Sequence, residues 1–214
     1  MRFLPHHPDE PVVLHREDML NARQAFKALR DPASRSRWDE ELLELITKSK
    51  FSCVAVVIDK VELRNAYGDS AAHPYHLGLG FLLQRYVGYL NHISRRGDIM
   101  GESRGGTEDR LLKASCIHVY ERGVWITQAH TFQSALTTRE LKLKPKSANI
   151  SGLQLADLLG HPLKQWILRE NRLASEEAPL RSPLRAIHLR ISGLTYDSHK
   201  GCGFATGSKD LRNL

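Results

Sequence analysis

The sequence has no apolar run near the roughly 18 residues that a membrane span requires, and 26% of its 214 residues are charged. Its opening, MRFLPHHPDEPVV, carries no apolar stretch of the signal-peptide kind, so a cytoplasmic protein without a membrane partner is expected. Cysteine is sparse. Cys53, Cys116 and Cys202 are far apart and odd in number, which fits free thiols in a reducing compartment rather than a disulfide framework. Internal repeats and low-complexity tracts are missing. The pairs His6–His7 and His73/His76 lack the further histidine or cysteine that a zinc set needs, and read as loop histidines. Cys116 and His118, two positions apart, do not face each other on a helix, so a cysteine–histidine nucleophile is unsupported and core packing explains Cys116 better. ESRGGTED (102–109) bears glycines but lacks the lysine and hydroxyl residue of a P-loop. Aromatic residues, at 7%, are too few for base stacking to be read from pattern.

Positive charge is what the chain has in excess. Thirty-one Lys and Arg against 24 Asp and Glu leave a formal charge of +7 and a pI near 9.4. Such a balance favours polyanionic partners, nucleic acid foremost. The length suits a single domain over 1–214 with one sizeable core.

Helical and strand-like segments alternate, the pattern of an α/β domain. Residues 17–29 read as a helix that DPAS (31–34) breaks. A second helix carries Trp38, Leu42, Leu45 and Ile46 at helical spacing. FSCVAVVID (51–59) is the clearest strand, and its continuous apolar character predicts burial on both faces. A loop over 60–74 leads to a long helix over 75–96, whose three glycines suggest close packing. A short strand (98–103) enters the RGGT turn, and Thr107 is placed to cap a helix with Glu108, Asp109 and Arg110 in its first turn. Residues 123–144 read as two short extended pieces ending in the basic LKLKPK. Asn149 or Ser151 can cap the last helix, in which Pro162 should kink the chain beside His161. From about 175 the tail is loop-rich, with one strand near 185–191.

Three carboxylates stand where α/β sheets place chemistry. Asp59 closes the apolar strand, Glu102 closes the next, and Asp157 sits within SGLQLADLLGHP (151–162). On a helical wheel Ala156, Leu159, Leu163, Trp166 and Ile167 form an apolar stripe, while Gln154, Asp157 and His161 share another face. An oxygen-rich cluster of this kind binds Mg²⁺ or Mn²⁺, and two such ions about 4 Å apart can activate water for phosphodiester hydrolysis. The plainer alternative for each carboxylate is a salt bridge or a cap at a loop end. Arg95, Arg96, Arg104, Arg110, Lys142, Lys144 and Lys146 surround these acids in sequence and would suit a phosphate-tracking groove, with Arg104 offered to a phosphate by the glycine turn; each is otherwise a solvated basic residue.

The string VAVVIDK … GESRGGTEDRLL … KLKPKSANISGLQLADLLGHP, extended back to VLHREDM (13–19), resembles the family called domain of unknown function 3800 over most of the chain. The resemblance implies a ribonuclease H-like fold, a mixed central sheet flanked by helices. It also implies a Mg²⁺- or Mn²⁺-dependent nuclease acting on DNA or RNA. Carried over, it makes Glu102 and Asp157 metal ligands and catalytic residues and Asp59 a third ligand. Lys144 or Lys146 would neutralise phosphate or leaving-group charge, and Arg104, Arg110 and Lys142 would hold the nucleic acid. The family's usual Asp-Glu-Ser-Gly strand does not occur here; Asp9-Glu10, flanked by prolines, does not suit a central strand. Its loss would leave an open sheet edge for a second copy of the chain to cover, giving a homodimer. The alternative function is a catalytically incomplete module that binds nucleic acid or protein.

Overall fold

The computed structural model describes residues 12–49, 51–70, 72–170, 195–199 and 202–206. Helix α1 (Arg16–Leu20) is short because its last carbonyls are taken elsewhere: Arg35 donates from Nη1 to Met19 O and from Nη2 to Leu20 O, both at 2.9 Å. The chain then turns through left-handed Ala22 (φ 48°) and Gln24 (φ 51°) and resumes as a 3₁₀ helix, Gln24–Arg30. The single helix expected over 17–29 is thus two pieces, although Met19, Ala22, Phe26 and Leu29 are all buried, as helical spacing anticipates.

Asp31 begins an element as well as ending one. Its carboxylate accepts from Ser34 N at 2.8 Å, and Pro32 sits in the first turn of α2 (Pro32–Lys48), where a missing N–H does no harm. Trp38, Leu42 and Ile46 are buried on α2, with Trp38 edge-on to Phe26 at 5.6 Å; Leu45 points outward. Strand β1 (Val54–Ile58) is half-buried at every position rather than buried on both faces. Asp59 then caps α3 (Lys60–Tyr67) within the segment expected to be a loop.

Helix α4 (Pro74–His92) is capped by His73. Of its glycines, Gly80 marks a close approach: a Cβ there would lie 3.3 Å from Trp125 Cη2, whereas nothing lies within 4 Å of one at Gly88. Strand β2 (Met100–Glu102) precedes α5 (Gly106–Arg122), which Gly105 rather than Thr107 caps. The stretch 123–144 holds helix α6 (Ala129–Ala135) and strand β3 (Lys142–Lys144) instead of two extended pieces. Helix α7 (Ser151–Glu170) continues through Pro162. On it Leu158, Leu159, Pro162, Leu163 and Ile167 are buried and Ala156 is exposed, so the apolar stripe is rotated from the expected one. Strands β4 (Thr195–His199) and β5 (Cys202–Thr206) end the described chain. The strand expected near 185–191 lies outside the described residues.

Two compact units emerge. One joins the residues before Cys53 to those from Lys146 to the end of α7. The other runs from Cys53 to Pro145 and includes β4 and β5. The core of the second unit is helical: Leu83, Val87 and Leu90 of α4 meet Cys116 and Val119 of α5, Phe132 and Ala135 of α6, and Leu136 and Leu141 beyond it. Burying each large apolar side chain of this set contributes roughly 1.5–3 kcal/mol.

The strands form two separate small sheets. β1, β5 and β4 pair antiparallel in the order β1-β5-β4, and β2 pairs with β3 in parallel. Helices dominate, and the described residues contain no mixed central sheet. The ribonuclease H-like α/β expectation is overturned, and with it the family resemblance that carried it. The physical reason lies in strand length. β2 and β3 are three residues each and β1 is half-buried throughout, whereas a sheet flanked by helices needs longer runs buried on both faces. No helix among the described residues is long and apolar enough to cross a membrane.

Candidate nucleic-acid interface

β3 alternates Lys142, Leu143, Lys144. Leu143 packs toward the helical core, so the period of two turns both lysines outward, and both are exposed. Residues two apart on a strand are spaced about 6.6 Å, which makes a short row of ammonium groups. β2 holds the row in place, with Met100 opposite Lys142, Gly101 opposite Leu143 and Glu102 opposite Lys144. Lys142 N donates to Ile99 O at 3.0 Å and Ser103 N to Lys144 O at 2.9 Å.

Arg104 follows directly, and Asp109 fastens it to α5. The Asp109 carboxylate accepts from Ser103 Oγ at 2.6 Å and from Arg104 N at 2.8 Å. These bonds, that of Ser103 foremost, hold its pKa below the ordinary aspartate value. The start of α5 therefore carries its own anion, and the Arg104 N–H at the RGGT turn is taken by it. The side chains are another matter: Arg104 and Arg110 are exposed, and among the described residues neither guanidinium is in an ion pair. Lys144 is likewise exposed and unpaired among them, while Lys142 pairs with Asp98. Asp98 also accepts from Ile99 N at 2.9 Å and Thr138 Oγ1 at 3.3 Å, and its pKa is lowered chiefly by Lys142. Asp98, which sequence reasoning passed over, tethers one lysine and leaves the other available.

The acidic trio has other tasks. Asp59 Oδ1 accepts from Val61 N at 2.9 Å and Glu62 N at 3.1 Å, which makes it the cap of α3. Half-buried Asp157 accepts from Lys146 Nζ at 3.1 Å within the first unit. Glu102, half-buried, stands in register with Lys144 in the second unit. Among the described residues no group of three or more His, Cys, Asp or Glu could hold a metal ion. The expectation of a metal-dependent nuclease is overturned, because the described residues hold neither the mixed central sheet nor the acidic cluster on which it rested; Asp59 and Asp157 serve there as a cap and an ion-pair partner.

Other singled-out residues are also accounted for. Gln154 donates to Asn149 Oδ1 and accepts from Leu14 N, the latter at 2.8 Å, which ties the segment before α1 to α7. His161 has a buried Nδ1 without a hydrogen-bond partner among the described residues, and its pKa is lowered by burial and then by Arg16 and Lys164. His76 Nδ1 meets Ser115 Oγ at 2.8 Å, joining α4 to α5. Burial pushes the Cys116 thiol up to about 11, far from the value of a working nucleophile.

No family model matches the sequence, and no solved structure matches the fold. The chain is similar to the uncharacterized protein y4pM of Sinorhizobium fredii (strain NBRC 101917 / NGR234). The two are 26% identical over 163 residues, which cover 71% of this chain and 60% of that protein. The chain thus spans about 60% of the length of the relative it matches.

Proposed function

We propose that the chain is a nucleic-acid-binding module that grips the phosphate backbone and does not cut it. The observation that carries this reading is the outward row of Lys142 and Lys144 beside Arg104 and Arg110. All four are exposed, and three of them have no ion pair among the described residues. The formal charge of +7 supports the same partner class. Binding is favoured over chemistry because Asp59 and Asp157 are occupied as a cap and an ion-pair partner.

The test is a titration of a labelled oligonucleotide at several salt concentrations, followed by fluorescence anisotropy. Affinity should fall steeply with salt as bound counterions are released. Each of Lys144→Ala, Arg104→Ala and Arg110→Ala should weaken binding and lower the salt slope by about 1. A triple variant that keeps the affinity and slope of the parent would sink the reading.

A further inference from the structure

Residues 124–127, VWIT, form a two-residue turn: Val124 N donates to Thr127 O and Thr127 N to Val124 O, both at 2.9 Å. Turns of this kind favour Asn-Gly, because the first tip residue must take a left-handed conformation. Here Trp125 takes it, at φ 48°. Ile126, beside it, is 92% exposed, and Trp125 itself is 52% exposed. Two large apolar side chains therefore stand in water at a backbone position that a tryptophan rarely adopts.

The turn is held firmly. Gly123 leads into it at φ 77°, where a Cβ would come within 2.4 Å of Thr127 O. Gln84 Nε2 donates to Thr127 Oγ1 at 2.8 Å. Gly80 leaves room for the indole against α4, and the Phe81 ring stacks on Trp125 with centroids 4.0 Å apart and planes 21° apart. One indole face thus lies on Phe81, while about half of the residue remains open to solvent.

In sequence, the residue next to this turn is cationic. Arg122, exposed, ends α5 directly before the turn. The nearest acid in sequence, Glu121, is engaged by Arg139 at 3.7 Å. A buttressed, half-exposed indole three positions after an exposed arginine on a basic chain suits an unpaired base stacking near a phosphate-contacting arginine. An exposed isoleucine beside it suits the apolar wedge that some proteins insert next to a base. α5, 17 residues long and hence about 25 Å, carries Arg110 in its first turns and leads into this turn at its far end. A strand held at the basic row is thereby offered a second contact.

We propose that the Trp125–Ile126 turn is a base-stacking contact that makes the chain prefer single-stranded over double-stranded nucleic acid. This rests on the nucleic-acid reading above and adds a separate site to it.

The experiment uses the full chain with a 16-nucleotide oligo(dT) and a duplex of the same length, a size within the usual range of about 4–16 nucleotides. Single-strand binding should quench tryptophan fluorescence, and Trp125→Phe should remove the quenching while keeping affinity within about threefold. Trp125→Leu should weaken single-strand binding roughly tenfold and leave duplex binding in place. If Trp125→Leu fails to fold, Ile126→Ser decides, since a side chain so exposed has no packing to lose: weaker single-strand binding supports the proposal and unchanged binding overturns it. Wild-type binding to the single strand without quenching, and unaltered in Trp125→Leu, overturns the stacking contact and leaves the proposed function standing. A wild type that binds neither probe overturns both.

Discussion

Among single residues, His76 has the most to say about pH. Its ring meets Ser115 Oγ, and burial, then His118 and His73, lower its pKa below the ordinary value of 6.5. The folded chain therefore binds this proton less readily than the unfolded chain. Stability should be full above pH 6.5 and should decline as pH falls below that value, because protons then favour the unfolded state. His161, lowered in the same direction, adds to the trend. Thermal melts between pH 7.5 and 5, a range chosen to bracket the ordinary histidine value of about 6.5, should show a falling midpoint. His76→Gln should flatten the fall. A midpoint that does not move with pH would rule this out. At the same scale, Cys116 is fully buried with a thiol pushed up to about 11, so a thiol reagent should leave it unmodified in the native chain and label it only after unfolding.

At the scale of elements, the ends of helices carry the testable energetics. Asp59→Ala removes the acceptor for two N–H groups at the start of α3 and should lower stability by about 1 kcal/mol. Asp59→Asn keeps an acceptor and should lose only a few tenths. Urea unfolding distinguishes the two; equal losses would mean that the negative charge matters more than the cap. Arg35 closes α1 through two bonds to carbonyls, a fork that lysine cannot reproduce, so Arg35→Lys should cost about 1–2 kcal/mol in the same assay. Much of this scale was legible in advance. The Trp38, Leu42 and Ile46 face, the long α4, and the helix around Asp157 all follow from apolar spacing. DPAS breaks one helix and begins the next, as its sequence suggests; IDK looked like the start of a loop, yet its aspartate likewise caps a helix. Thr107 looked like a cap, but Asp109 folds back to satisfy the turn from within, and a carboxylate reaching five and six residues upstream has no fixed spacing in sequence.

At the scale of the molecule, the outcome turned on which distant segments meet. Apolar period and helix-terminal chemistry are local, so the chain by itself determined where most helices lie, which of their faces are apolar, and that the whole is basic. Those properties rest on neighbours three or four positions apart. Strand partners are not local. Val54 pairs with Thr206 and Met100 with Lys142, and nothing in five apolar residues states whether they join a broad central sheet or a three-stranded antiparallel one. The same holds for the carboxylates: Asp59, Glu102 and Asp157 could be listed from sequence, but only the tertiary structure shows the first on a helix cap, the second beside Lys144 and the third on Lys146. It also shows Trp125 stacked on Phe81, 44 positions earlier in the chain, and half-exposed. Local pattern sets the elements; contacts across long separations, which cost chain entropy and form only when packing repays it, decide what those elements build.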